Sequence, residues 1–345
     1  MKAFLLAAGN GTRLRPLTDN IPKCLVPIRG TPMLDIWLDI CRRAGINEIL
    51  LNLHAHAEAV RPVLSQYHGM KIRVVEEPTL LGSAGTIGAN REWIAGDDFW
   101  VFYADVLTTA NLGRMLAFHR QTHSTATIGV YQVGEPSRCG IAVFDDNFVV
   151  REFVEKPTEP RSDWAFSGIM VATPELLRDI PQRTPADLGF DVLPRLINRM
   201  SAYPISEFIM DIGTVQNYSL AQDRWPGLGW IGVDFDGTLA VSISKQWNGP
   251  LGPPIPPMVE RVKTWLAQGT EVRIFTARVC PRNKDGTLQS ESEMDELKSR
   301  MGDWCEKHLG KRFAVTCEKD HNMAQLWDDK AVHVVRDTGE ACAFS

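Results

Sequence analysis

Short apolar runs alternate with amphipathic stretches along the first half of this chain. Met1 to Ala7 (MKAFLLA) reads as a buried strand and runs at once into glycines and small residues. Pro32 to Ala44 places Met33, Ile36, Trp37, Ile40 and Ala44 on one face at helical spacing, with Gly45 as the stop. Glu48 to Leu53 predicts the next buried strand, Ala55 to Tyr67 a helix, and Lys71 to Val75 and Asp98 to Tyr103 two more strands. Between those two, Leu81-Gly82-Ser83-Ala84-Gly85-Thr86 forms a second glycine-rich loop that opens a helix. Strands alternating with helices predict an α/β fold with a mostly parallel sheet covered on both faces. Ligands of such sheets sit outside the carboxyl ends of the strands. From Thr125 the pattern becomes strand-rich (ATIGVYQV, GIAVFDD, FVVREFVEK, AFSGIMVA), which predicts a mixed extension of the sheet. Asp187 to Met200 predicts a helix through Leu188, Val192, Leu193, Leu196 and Ile197, and Asp211 follows a short strand.

The pattern restarts around Trp225-Pro226-Gly227-Leu228-Gly229. Trp230 to Phe235 is a buried strand, Met258 to Gln268 an amphipathic helix with Val259, Val262, Trp265 and Leu266 inward, and Glu271 to Phe275 a strand. Glu291 to Leu309 is a long helix, a strand lies around Phe313 to Thr316, and the last strand is placed at Ala331 to Val335. Two α/β domains are therefore expected, over residues 1–226 and 230–345.

Composition narrows the function classes. Hydrophobic residues at 44% and charged residues at 23% suit globular domains with a sizeable core. A net charge of −5 argues against a general nucleic-acid-binding surface, so basic groups are local to a site. The seven cysteines form no C-x-x-C pair and do not cluster with His, so reduced thiols are expected and neither zinc nor a disulfide framework. No apolar run suits a signal peptide or a spanning helix, so a soluble cytoplasmic protein without membrane partners is expected; a homo-oligomer is compatible with this.

The chemistry starts at the turn after the first strand. A buried strand running into small residues can turn backbone N–H groups toward an anion, and Arg13, Arg15 and Lys23 follow closely. A dinucleotide fingerprint would need a third glycine at Leu14, and no Gly-Lys-Ser/Thr follows for a P-loop. The full string G-N-G-T-R-L-R-P-L-T, then P-K, resembles the signature of sugar-1-phosphate nucleotidyltransferases. The resemblance extends to about residue 224 through Glu77-Pro78, Leu81 to Gly85, Asp105, Phe153 to Pro157, Ser167-Gly168 and Met210 to Gly213, and looks most like mannose-1-phosphate guanylyltransferases. It implies a Rossmann-like fold and attack of a sugar 1-phosphate on the α-phosphate of a nucleoside triphosphate, with pyrophosphate leaving. Catalysis is then positioning plus neutralisation of charge.

By that resemblance, Gly9, Gly11 and Thr12 hold the triphosphate, Arg13 and Lys23 neutralise it, and Asp105 and Asp211 hold Mg²⁺. Lys156, with Glu155, meets the sugar phosphate; Gly82 lets base and sugar approach the backbone; Ser167 and Gly168 join the substrate set. Read alone, Asp105 or Asp211 could equally cap a helix, and Glu155-Lys156 could be a surface pair. Glu77 stands where related enzymes often carry Gln near the base, which leaves GTP (favoured), UTP and dTTP open.

In the second domain Asp234-Phe235-Asp236-Gly237-Thr238 follows a buried strand, and Thr276, Lys319 and Asp328-Asp329 come after it in order. This series resembles the haloacid dehalogenase-like (HAD-like) phosphatases over about 230 to 345. The resemblance implies Asp234 as a nucleophile forming an aspartyl-phosphate and Asp236 as general acid/base. Thr276 and Lys319 would hold phosphoryl oxygens, with Mg²⁺ held by Asp234, Asp236, Asp328 and Asp329 and a phosphorylated small molecule as substrate. His308 and His321 read as satisfied or surface histidines. Together the two resemblances imply a bifunctional enzyme in which the phosphatase trims a sugar bisphosphate, heptose 1,7-bisphosphate being one candidate. The competing reading makes the second domain a non-catalytic assembly or regulatory module.

Overall fold

The computed structural model describes residues 1–331 apart from 55, 65, 66, 68, 245, 268, 269, 283–287, 321 and 322. The chain divides into two compact units, Met1–Trp225 and Pro226 onward. In the first, the apolar runs become β1 (Lys2–Leu6), β2 (Glu48–Leu53), β3 (Lys71–Glu76) and β4 (Phe99–Tyr103), joined by α1 (Met33–Arg43), α2 (Ala57–Leu64) and α3 (Ser83–Ala89). These strands pair in the order β3-β2-β1-β4, all parallel. β1, β2 and β4 are buried over almost their whole length, as strands covered on both faces must be, whereas β3 lies at the sheet edge and is largely exposed.

α1 buries more than the predicted stripe: Leu34, Leu38 and Cys41 join Met33, Ile36, Trp37 and Ile40, while Ala44 is the exposed residue at its end. Gly45 then takes φ +72°, the left-handed conformation that ends helices with little strain in glycine. Trp37 stacks on Phe102 of β4 at 4.8 Å, and full burial of such rings contributes roughly 1.5–3 kcal/mol each.

The strand-rich stretch forms β5 (Val106–Thr108), α4 (Leu112–Thr122), β6 (Ala126–Gln132), β7 (Gly140–Phe144), β8 (Val150–Glu155), β9 (Trp164–Ala172), β10 (Met200–Pro204), β11 (Ile209–Asp211) and α5 (Val215–Arg224). Among the described residues nine strands make one mixed sheet, with β9 running antiparallel to β4, β6 and β7. The helix predicted over Asp187 to Met200 does not form. A π-type turn at Leu188–Val192 and a 3₁₀ turn at Leu193–Leu196 replace it, and Met200 already belongs to β10. Pro194 cannot donate to an α-helical ladder, which explains why the apolar spacing alone misleads here.

His119 of α4 is buried, its Nδ1 2.8 Å from the Thr127 hydroxyl, and burial lowers its pKa below the usual 6.5. The folded state then prefers the neutral ring, so stability from this group is present above pH 6.5 and is lost as pH falls below it. A His119→Gln variant should show a flatter decline in urea midpoint between pH 7.5 and 5.5 than wild type; an unchanged slope would count against this.

The second unit contains β12 (Trp230–Asp234), α6 (Pro256–Ala267), β13 (Glu271–Phe275), α7 (Glu291–Leu309), β14 (Val315–Thr316) and β15 (Met323–Trp327). Its sheet is parallel in the order β14-β13-β12-β15. Among the described residues β15 is a strand that the pattern did not predict, ahead of Asp328; MAQLW is only half-buried and shows no clean alternation, unlike the more β-branched segment from Ala331. That segment lies, from residue 332 on, outside the described residues, as does His321. Within α6, Met258, Val259 and Val262 are buried, and Trp265 and Leu266 only partly.

Candidate functional site

In the first unit the carboxyl ends of β1, β2, β3 and β4 open on a cleft of about 280 Å³. Of the predicted residues, Gly9, Lys23, Glu77, Gly82 and Asp105 line it; Asn52, Leu80, Ser83, Tyr103 and Asp187 line it too and were missed. Asp105 sits between β4 and β5, and β5 pairs antiparallel with β11 so that Asp211 faces Val106. That two-stranded ribbon brings two carboxylates distant in sequence to one place. Lys23 Nζ donates to Asp105 Oδ2 at 2.5 Å, and the lysine side chain is only 11% exposed, so this is no solvated surface cation.

Gly213 shows how tightly the charges converge. A Cβ there would lie 2.6 Å from Asp211 Oδ1, 2.9 Å from Arg13 Nη2 and 3.3 Å from Lys23 Nζ. Its own N–H donates to Asp211 Oδ1 at 2.5 Å. Burial raises the Asp211 pKa and the Asp105 charge raises it further, against the opposing effects of Lys23, the Gly213 N–H and Arg13. Two carboxylates held in mutual repulsion offer hard oxygen donors to a divalent cation, so the residues present fit Mg²⁺. Neither acts as the N-cap of α5; Thr214 does.

The glycine turn is built for its shape. Gly11 has φ +64°, and its carbonyl accepts from the Thr18 hydroxyl at 2.7 Å. Gly9, Thr12 and Arg13 are exposed beyond β1, leaving their groups open to a ligand. Arg15 pairs with Asp19, at 3.4 Å, on the surface. Gly82 has φ +78°, and a side chain there would collide with the Ala186 carbonyl, which accepts from Ala84 N and Gly85 N at 3.0 Å.

Glu77 is more deeply engaged than expected. It is 3% exposed; Oε1 accepts from Asn52 Nδ2 (2.9 Å) and Thr86 Oγ1 (2.5 Å), and Oε2 from Leu81 N (3.0 Å). Asn52 in turn accepts from Ala7 N at 2.8 Å, so this buried network ties the glycine turn to the Leu81–Gly82 loop. A polar Asn inside the apolar run EILLNL is the one sequence signal that could have revealed it.

Glu155 lies against Gly140 and Gly189, positions where any side chain would meet its carboxylate, and burial raises its pKa. Lys156 takes φ +52°, uncommon for a residue with a side chain, and its Nζ lies 5.5 Å over the exposed Phe190 ring. Phe190 follows Asp187, whose Oδ1 accepts from Gly189 N and Phe190 N and whose Oδ2 accepts from Ser83 Oγ. Burial pushes the Tyr103 phenol up, helped by Asp187, Glu155 and Asp105 and opposed by a hydrogen bond with Ser83.

Ser167 and Gly168 lie within β9. Ser167 is buried and its Oγ accepts from Ile169 N, while β9 shifts register between Phe166 and Met170. Gly168 (φ +76°) lies where a Cβ would be 2.9 Å from Tyr103 Cβ, so it allows the close approach that positions that ring.

The second unit has its own cluster. Carboxylate oxygens of Asp234, Asp328 and Asp329 lie within 4.8 Å of one another at the carboxyl ends of β12 and β15. Asp234 Oδ2 is buried without a hydrogen-bond partner among the described residues, and burial, then Asp328, pushes its pKa up to about 7. An orphaned anionic oxygen beside two more carboxylates fits a bound cation. Asp329 packs on Gly237, and its N–H donates to Thr238 Oγ1 at 3.0 Å. Asp236, expected in the cation set, is not drawn into it. Both its oxygens accept from the buried Arg278, at 2.5 and 2.7 Å, and Arg278 also donates to the Trp247 and Gly249 carbonyls. Thr276 is buried, its Oγ1 accepting from Arg278 N, and Lys319 is exposed on the loop after β14. Arg278, missed by the sequence reading, stands two residues from Thr276, too short a spacing to signal a partner for Asp236. His308 packs at a tilt against Trp304, with ring centroids 4.6 Å apart.

Among the described residues no helix is long and apolar enough to cross a membrane. Comparison with known proteins bears on the first unit. The nucleotidyl transferase family matches residues 2–225. A protein described as probable mannose-1-phosphate guanylyltransferase 1 of Oryza sativa subsp. japonica is 34% identical over 227 residues, 63% of each chain. UTP–glucose-1-phosphate uridylyltransferase of Synechocystis sp. is 33% identical over 240 residues, 63% of this chain and 61% of its own length. Both matches therefore span under two thirds of the relative. The solved UDP-glucose pyrophosphorylase from Acinetobacter baumanii shares the fold, with a TM-score of 0.58 at 22% identity over 65% of this chain and 93% of that one. Through residues 2–225, this chain belongs to the nucleotidyl transferase family.

Proposed function

We propose that the first unit transfers a nucleotidyl group, from GTP by preference, to a sugar 1-phosphate of mannose or heptose type, releasing pyrophosphate. The observation that carries this reading is the convergence of Arg13, Lys23, Asp105 and Asp211 around Gly213 beside the cleft. The N–H groups of Gly9, Gly11 and Thr12 receive the triphosphate, and Arg13 and Lys23 offset charge building on the leaving pyrophosphate. Asp105 and Asp211 hold Mg²⁺, which when bound draws charge from the phosphate oxygens. Lys156 receives the sugar phosphate, and Phe190 beside it offers an apolar face to the sugar ring.

Guanine suits Glu77. A carboxylate only accepts, and one acceptor site on Oε2 remains beside the bond from Leu81 N. Guanine presents two adjacent donors on its Watson–Crick edge, whereas uracil and thymine present one donor between acceptors. A charge-assisted bond is worth about 1.5–3 kcal/mol, so Glu77→Gln should lower kcat/KM for GTP by roughly 10- to 100-fold while changing UTP far less. A pyrophosphate-release screen of four nucleoside triphosphates against a panel of sugar 1-phosphates with Mg²⁺ checks both points. The uridylyl-transferring relative favours a second reading, UTP or dTTP as donor, and the same screen separates the two.

For the second unit the reading is a Mg²⁺-dependent phosphohydrolase of HAD-like type. Asp234 attacks the phosphoryl group, the ester P–O bond breaks and the sugar oxygen leaves as a protonated hydroxyl; water then attacks the aspartyl-phosphate, releasing inorganic phosphate and the free carboxylate, while Thr276 and Lys319 hold phosphoryl oxygens. The Asp234–Asp328–Asp329 cluster with its orphaned oxygen supports it. A role for Asp236 in proton transfer requires its ion pair with Arg278 to open. Its substrate is proposed as a sugar bisphosphate, trimmed to the 1-phosphate that the first unit uses. A unit that cleaves none of a panel of sugar phosphates would instead be an assembly or regulatory module.

A further inference from the structure

Two cysteines flank the second site without a role in it. Cys280 follows the short turn that carries Thr276 and Arg278, and Cys317 follows β14, two residues before Lys319. β13 and β14 are parallel neighbours with Phe275 opposite Thr316, and Thr276 N donates to Thr316 O at 2.9 Å. This register lays the two loops side by side at the carboxyl ends of their strands. The Cys317 thiol reaches the carbonyl of Val279, the residue before Cys280, at 3.6 Å, which brings the two thiols near enough to interact. Both are free and only half-buried, whereas Cys24, Cys41 and Cys305 are buried in the cores.

We propose that Cys280 and Cys317 form a reversible disulfide, a redox modification site that ties the Arg278 turn to the Lys319 loop. Thiols on adjacent strand ends, one of them already against the residue that precedes the other, need little movement to meet the bond's geometry. The oxidant is a low-molecular-weight disulfide such as oxidised glutathione. The Cys317 thiolate attacks one of its sulfurs, the oxidant's S–S bond breaks, and one glutathione thiolate leaves. The Cys280 thiolate then attacks the Cys317 sulfur and expels the second glutathione. The two protein thiols lose two electrons and two protons, and the oxidant's disulfide gains both. Cys280 suits the second step: burial and the neighbouring Cys317 thiol push its pKa up in the reduced pair, so it meets outside reagents poorly, and the contribution of Cys317 is removed once that sulfur carries glutathione. Oxidation holds the segments of Thr276 and Lys319 at a set spacing; its effect on catalysis rests on the phosphohydrolase reading, whereas formation of the bond does not.

The full chain, equilibrated in glutathione buffers, acid-quenched and alkylated with N-ethylmaleimide, is mapped by peptide mass spectrometry. Under oxidising buffers the Cys280 and Cys317 peptides should leave the alkylated pool together and appear as one cross-linked species that dithiothreitol releases. Cys280→Ser should trap Cys317 as a glutathione adduct, and Cys317→Ser should leave Cys280 a thiol. Both residues remaining alkylatable in oxidised glutathione, or Cys317 pairing elsewhere, overturns the proposal. Phosphate release should fall several-fold on oxidation and return with dithiothreitol; equal rates in both forms overturn the regulatory consequence. Absence of hydrolysis in the reduced protein rejects the phosphohydrolase reading and the consequence that rests on it, and leaves the mapped bond standing.

Discussion

Asp105→Asn should lower pyrophosphate release by on the order of 10² to 10³ at saturating substrates. Asp105 accepts from Lys23 Nζ at 2.5 Å and faces Asp211, whose pKa it helps to raise. The substitution removes the lysine's anionic partner and half of the proposed oxygen donor pair while keeping the side chain's shape. The Mg²⁺ concentration for half-maximal rate should rise with it. Because Asp105 lies in the cleft wall and outside the apolar core, thermal stability should change little. A loss below tenfold with an unchanged Mg²⁺ requirement would remove Asp105 from the proposed machinery.

Asp234→Asn should abolish phosphate release, by on the order of 10³ or more, and leave nucleotidyl transfer at the wild-type rate. The same variant reports on electrostatics. The folded pKa of Asp234 is raised from 3.8 to about 7, so its ionisation opposes folding. The cost is absent below pH 3.8, accrues as pH rises toward 7 and is full above it. With EDTA present, Asp234→Asn should therefore unfold at higher denaturant than wild type at pH 8, with the difference vanishing near pH 4. Equal midpoints at pH 8 would show that Asp234 carries no such strain.

Much of this architecture is legible in local pattern. Glu291–Leu309 is helical over its whole predicted length because Ser290 and Glu293 form a capping box and Gly310 closes it at φ +83°. The central strands announce themselves as continuous apolar runs. Where the pattern misleads, a non-local or backbone constraint has overridden it, as with Pro194 inside an apolar spacing and β15 at an exposed sheet edge. Ser167 lies where β9 shifts register, and its hydroxyl accepts from Ile169 N, a local contact that residue types alone do not announce.

Chemistry divides along the same line. Residue types, their order and the glycines at Gly11 and Gly82 are local properties, because chain connectivity and φ preference act over a few residues. They suffice to mark the glycine turn, the carboxylates and both α/β units. Which side chains meet depends on strand pairing across a hundred residues or on a ring of loops, and no local preference encodes that. Asp211 reaches Asp105 only through the β5–β11 register, Glu77 is bound by Asn52 and Thr86, and Asp236 by Arg278. Cys280 reaches Cys317 only because β13 lies beside β14. The chain's order named the candidate groups; the packing of strand ends assigned their partners.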